Sequence, residues 1–156
     1  MKINFHYEMK YERVDTFEWK RYNHIVSLET YKDQIMPKLS SVIDNLHKRP
    51  DSRQEAIIVN REKLDNSCLL SMQFQLLNNT LIVISNYRSQ CKVHGRPVDT
   101  IMNRYVATKI IDGLESLGNK IKSCKIYVNV GNYHLNRSEC NLDCDAMPLY
   151  KMLKQI

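Results

Sequence analysis

The stretch Leu69-Leu70-Ser71-Met72-Gln73-Phe74-Gln75-Leu76-Leu77-Asn78-Asn79-Thr80-Leu81-Ile82-Val83-Ile84-Ser85 decides the fold class of this chain. Two apolar runs flank Leu77-Asn78-Asn79-Thr80, and asparagine tolerates the left-handed backbone that a tight hairpin demands. The stretch therefore predicts an antiparallel hairpin. Working outward, Ala56-Ile57-Ile58-Val59 and Ile126-Tyr127-Val128-Asn129-Val130 are further strand candidates. Residues 2–8 alternate as a half-buried strand does, with Ile3, Phe5 and Tyr7 set against Lys2, Asn4, His6 and Glu8.

Helical spacing occupies the intervals. From Asp33 to His47 the apolar residues Ile35, Leu39, Val42, Ile43 and Leu46 define one amphipathic helix, in which Pro37 fits only the first turn. Pro50-Asp51-Ser52 breaks it. A second helix is expected from about Asp99 to Leu117, after a turn at Gly95–Pro97, with Gly118 as its C-cap. A short helix is expected around Leu149, Met152 and Leu153, and the segment 11–30 around Trp19 has no firm pattern. The sum is an α+β fold: a mostly antiparallel sheet covered by helices, with residues 1–156 as a single domain.

Composition narrows the function classes. No apolar run approaches the ~20 residues that cross a bilayer. The alternating N-terminus is not the apolar core of a signal peptide. Five cysteines, odd in number and irregularly spaced, argue for reduced thiols and a cytoplasmic setting. The net charge is +6, yet Lys10, Lys20, Lys48 and Lys120 are scattered and do not interleave with aromatics. Nucleic-acid binding is therefore not expected, whereas a small anion needs only a few of these cations.

The residues with chemical potential lie between Cys68 and Asp99. Cys68 is a candidate nucleophile, since a thiolate is the best side-chain nucleophile near neutral pH. Alone, it reads more readily as a small buried hydrophobe on a strand. Gln73 follows in an otherwise apolar strand. Arg88-Ser89, at the end of a strongly apolar strand, offers a guanidinium fork and a hydroxyl suited to a phosphate. Cys140, Cys144, Cys124 and His134 lack the spacing of a zinc site, so no metal is expected.

These residues resemble the thymidylate synthase and deoxycytidylate hydroxymethylase family. Cys68, Gln73-Phe74, Arg88-Ser89, Gly95, Pro97 and Asp99 follow its pattern without a gap. Pro50-Asp51-Ser52-Arg53, Leu64-Asp65 and Gly131-Asn132-Tyr133-His134 extend the match, with gaps, over residues 33 to 136. The resemblance implies that Cys68 attacks C6 of a pyrimidine ring, making C5 a carbon nucleophile for a one-carbon unit. It implies that Arg88 and Ser89 hold the 5′-phosphate and that Arg53 is lent to the partner subunit's phosphate site, hence a homodimer. It places Gln73 on the dimer-facing strand near the nucleotide and His134 at the sugar hydroxyl. Arg53 as a surface cation and His134 as a loop histidine stay open as structural readings.

Asp99 bears on the base. Members acting on uracil carry Asn here, and members with Asp use cytidylates. A carboxyl group accepts from the cytosine 4-amino group and, when protonated, donates to N3. An N-cap role for Asp99 is the structural alternative. The folate side departs from the family: Cys91 stands where an Asp engages the folate ring, Leu69 where a His is common, and Asn136 where a Tyr is expected. No helix matches the one carrying the family's Glu. The expected function is thus a C5 methyl- or hydroxymethyltransferase on dCMP or a similar nucleotide. Methylenetetrahydrofolate is the implied but poorly matched carrier. The alternative is a nucleotide-binding module that has lost the folate half of its site.

Overall fold

The computed structural model describes residues 5–19, 27–59, 68–92 and 95–134. Its elements are β1 (Phe5–Lys10), α1 (Ser27–Ile35), a 3₁₀ turn (Met36–Lys38), α2 (Leu39–Lys48), β2 (Ala56–Ile58), β3 (Leu69–Leu77), β4 (Thr80–Tyr87), β5 (Gln90–Cys91), α3 (Gly95–Ser116), β6 (Ser123–Val130) and β7 (Tyr133–His134). One sheet runs β1-β6-β4-β3-β2 and a small second sheet pairs β5 with β7. In the larger sheet every pairing is antiparallel except β4 with β6. A parallel pair needs a crossover, and α3 lies in it. The mixed, mostly antiparallel architecture is the α+β fold that the sequence predicts.

The hairpin forms where expected. Leu77 pairs with Thr80 across Asn78 and Asn79, whose φ values of 49° and 62° are those of a primed turn. Gly118, at φ 91°, ends α3. The amide of Asn119 bonds Leu114 O and that of Gly118 bonds Glu115 O, the paired closure that favours glycine there.

Three helical boundaries differ from expectation. Pro37 does sit in a first turn, but of a 3₁₀ segment that divides the expected helix into α1 and α2. Helix α1 starts at Ser27, inside the stretch without a pattern. Helix α3 starts at Gly95, taking in the expected turn, because Pro97 in its first turn lacks only an N–H that has no intrahelical partner. β1 continues to Lys10, and residues 2–4 of the expected strand, like the expected helix near Leu149, lie outside the described residues.

Helices α2 and α3 cover one face of the large sheet. Phe74, Val83, Ile126 and Val128 meet Met102, Val106, Ile110 and Leu114, all fully buried. Each such side chain contributes roughly 1.5–3 kcal/mol of transfer free energy. α2 and α3 approach closely at Gly113, where an added Cβ would stand 2.5 Å from Ile43 Cδ1. No helix among the described residues is long and apolar enough to cross a membrane.

The other face carries half-buried Gln73, Gln75, Ile82, Ile84 and Tyr127, with Ile58 exposed. A polar ladder crosses four strands of it. Asn86 donates to Ser71 Oγ at 3.0 Å, Asn129 donates to Asn86 Oδ1 at 2.9 Å, and His6 Nδ1 meets Asn129 Oδ1 at 2.5 Å.

Candidate active site

Cys68 owes its position to a β-bulge. Leu69 pairs with Tyr87 but Ser71 pairs with Asn86, so Leu70 is an extra residue in β3. The bulge reverses the alternation, putting Leu69 into the core with Met72 and Phe74 and re-aiming the residue before it. The displaced amides need acceptors. Tyr31 of α1 provides one, its hydroxyl accepting from Cys68 N at 2.9 Å and Leu69 N at 3.0 Å. Cys68 Sγ then lies 3.4 Å from Ser89 Oγ.

Arg88 and Ser89 follow β4 in a turn held from both sides. Arg88 N donates to Cys68 O at 2.7 Å, and Gly131 N donates to Tyr87 O at 2.9 Å. A Cβ on Gly131 would stand 3.0 Å from Arg88 O, so glycine permits this approach. The Arg88 side chain is exposed while Ser89 is buried. β5 runs beside β7, pairing Cys91 with His134, and His134 Nδ1 is 3.3 Å from Asn132 O.

Asp99 lies in the second turn of α3 and is only 9% exposed. The N-cap alternative is thereby excluded, because the helix begins before it. Gln90 Nε2 donates to Asp99 Oδ2 at 2.8 Å, and Asn103 Nδ2 donates to Asp99 O at 2.7 Å. Burial pushes the carboxyl up to about 7, with the Gln90 donor working in the opposite direction. Tyr87 lies alongside, fully buried, and burial holds its phenol well above the usual range. Its hydroxyl accepts from Asn103 Nδ2 at 2.8 Å.

The structure thus brings together Cys68, Arg88, Ser89 and Asp99, with His134 on the adjoining strand. Arg53 and Gln73 are elsewhere. Gln73 belongs to the open face of the sheet and donates to Arg53 O at 3.2 Å, while the Arg53 side chain is exposed. Cys140 and Cys144 lie outside the described residues, and no group of metal-ligating side chains forms among the described ones. Sequence reasoning missed Tyr31, Gln90 and Tyr7. Gln90 left one signal, an amide beside the candidate phosphate pair, but Tyr31 acts from a distant helix and left none.

No protein-family model matches the chain, and no curated protein matches it. Among solved structures, thymidylate synthase from T4 phage superposes on 80% of this chain with a TM-score of 0.55 and 19% identity. The fold is thymidylate synthase-like. Thermostable thymidylate synthase A from Bacillus subtilis also superposes, over 61% of this chain, with a TM-score of 0.48 and 19% identity. The thymidylate synthase-like chain covers only 42% of the phage enzyme and 34% of the Bacillus enzyme. This likeness concerns backbone architecture. The chemistry must be argued from the residues.

Proposed function

We propose that this thymidylate synthase-like domain binds a pyrimidine nucleoside monophosphate, preferring the cytosine edge, and that Cys68 adds to C6 of the base for C5 methyl or hydroxymethyl transfer. The observation that carries the reading is a continuous cluster: Cys68 Sγ 3.4 Å from Ser89 Oγ, and Gln90, the next residue, bonded to the buried Asp99 carboxyl. In this reading Arg88 and Ser89 take the 5′-phosphate and His134 the sugar hydroxyl. Asp99, neutral or readily neutralised at physiological pH, donates to N3 and accepts from the 4-amino group.

The chemistry balances without a metal. The Cys68 sulfur forms a bond to C6, and electron density moves to C5, which takes a proton or a formaldehyde-level one-carbon unit. The unit's bond to its carrier would break, and water would complete a hydroxymethyl group, or a hydride from a reduced carrier a methyl group. The original C5 hydrogen then leaves as a proton, and expulsion of the thiolate restores the ring. Methylenetetrahydrofolate is not well matched by the residues present. The position from which a carboxylate would engage its ring is Cys91. The buried carboxyls among the described residues, Glu55 and Asp99, are bonded to Asn45 and Ser52 and to Gln90 respectively. A homodimer is supported by the open sheet face, where Ile58, Ile82, Ile84 and Tyr127 await cover. Arg53 would then reach the partner's phosphate site from beside Gln73. The poor match at Cys91 favours a second reading, a nucleotide-binding module without catalysis.

Release of tritium from 5-tritiated dCMP, with and without methylenetetrahydrofolate, separates the two readings. Release is expected from the native chain and none from Cys68→Ala, whose dCMP affinity should stay within about threefold because the sulfur contributes little to binding. No release under either condition, with dCMP bound, would leave only the binding module. Absence of nucleotide binding removes both readings.

A further inference from the structure

The contacts around Asp99 form a relay that runs from Tyr7 through Gln90 to the carboxyl, with Arg96 beside its first member. The Arg96 guanidinium lies over the Tyr7 ring, 4.7 Å from its centroid, and Arg96 NH1 donates to the Tyr133 hydroxyl at 3.0 Å. A cation against the phenol favours the hydroxyl turning its proton away from the guanidinium. That proton goes to Gln90 Oε1 at 3.1 Å. With its carbonyl engaged, the Gln90 amide has only N–H to offer Asp99, and Nε2 donates to Oδ2 at 2.8 Å. Gln90 is 1% exposed, so both ends of its amide are shielded from bulk solvent.

A lone carboxylic acid reads a base ambiguously. Its proton can sit on either oxygen, so it can pair with a 4-amino edge or with a 4-keto edge. We propose that Gln90, oriented by Tyr7 and Arg96, is the positioning residue that makes Asp99 selective. It keeps Oδ2 an acceptor and confines the proton of the neutral acid to Oδ1. In one ring pose, set by the phosphate site and by Cys68 at C6, Oδ1–H then meets N3 of cytosine, and Oδ2 receives a 4-amino hydrogen. Uracil in that pose sets N3–H against O–H and O4 against a bare oxygen, leaving both buried pairs unmade.

This assignment rests on the nucleotide reading above, but its geometry stands apart from it. The titratable groups near the carboxyl are Tyr7 of β1 and Tyr87 of β4, with Arg96 on its own helix and Tyr133 of β7 beyond. Burial raises both Tyr7 and Tyr87, which keeps these phenols protonated, so Tyr7 remains a donor to Gln90.

Tyr7→Phe keeps a ring beneath Arg96 but removes the donor to Gln90, freeing the amide to turn its carbonyl toward Asp99. The ratio of dCMP to dUMP affinity, measured by calorimetry, is expected to fall about tenfold. Gln90→Met removes the donor to Oδ2, and the carbon-13 NMR titration midpoint of the Asp99 carboxyl is expected to move upward. A Gln90 that only holds the carboxyl in place would move the midpoint but leave the Tyr7→Phe ratio unchanged. If the native chain binds dCMP and Tyr7→Phe leaves the ratio unchanged, the relay does not select the base and the nucleotide reading survives. If the native chain binds neither nucleotide, the nucleotide reading falls first. An unmoved carboxyl midpoint in Gln90→Met then overturns the relay as well.

Discussion

Two corners of this domain each bury a carboxyl group, and they treat it in opposite ways. At the β2 corner Glu55 is 7% exposed and accepts from Asn45 Nδ2 at 3.0 Å and from Ser52 Oγ at 3.3 Å. Its backbone oxygen also accepts from Phe74 N. At the β5–α3 corner Asp99 accepts one side-chain donor among the described residues, Gln90, and burial raises it to about 7. The Glu55 oxygens are spent on tying the α2–β2 connection to the sheet edge. Asp99 retains hydrogen-bonding capacity and an adjustable proton. The difference separates a carboxyl committed to structure from one that, in the proposed function, meets the base.

The largest expected effect lies at Asp99. An acid raised from 3.8 to about 7 keeps its proton in the folded state while the unfolded chain loses it. Stability therefore falls as pH climbs between those values, and the full cost persists above them. Asp99→Asn removes the ionisation and keeps an acceptor for Gln90. It should match the native chain at pH 4 and exceed it at pH 8 by up to ~4 kcal/mol in denaturant unfolding. Equal stability gains at both pH values would mean that the carboxyl is not strained by burial.

Glu55→Ala should do the reverse, lowering stability by roughly 2–3 kcal/mol, because it strands the Asn45 and Ser52 donors. It should leave dCMP affinity unaltered. A loss of nucleotide binding without a loss of stability would erase the contrast between the corners.

The smallest effect sharpens the contrast through the arginines. Arg88→Ala should weaken dCMP about tenfold, as loss of one exposed charge-assisted contact does. Arg53→Ala should leave unfolding unchanged. If Arg53 serves a partner's site, mixing Arg53→Ala with Cys68→Ala should restore tritium release in hybrid dimers, where one site regains both groups. No recovery on mixing would return Arg53 to a surface cation.

Much of the fold was legible because it is local. The Asn78-Asn79 turn, the period-two strands and the Gly118 cap each follow from backbone preferences of the residues concerned. Cys68, Arg88-Ser89 and Asp99 were also legible as a spaced set. The bulge at Leu70 was not, since nothing in Cys68-Leu69-Leu70-Ser71 distinguishes an even alternation from one with an extra residue. The division of the expected helix at Pro37 has a local cause, but the start of α1 at Ser27 and the reach of its Tyr31 to the bulge join distant parts of the chain and left no signal.

The sequence by itself determined which groups are available: one thiol, one guanidinium–hydroxyl pair and one carboxyl, at intervals set by strands and turns. Tertiary structure alone decided their states. Side-chain pKa depends on what excludes water, and it is α3, packed against β4 and β5, that buries Asp99. The direction of the Arg96–Tyr7–Gln90 relay likewise depends on bringing β1, β5 and α3 to one point. No window of sequence contains all three.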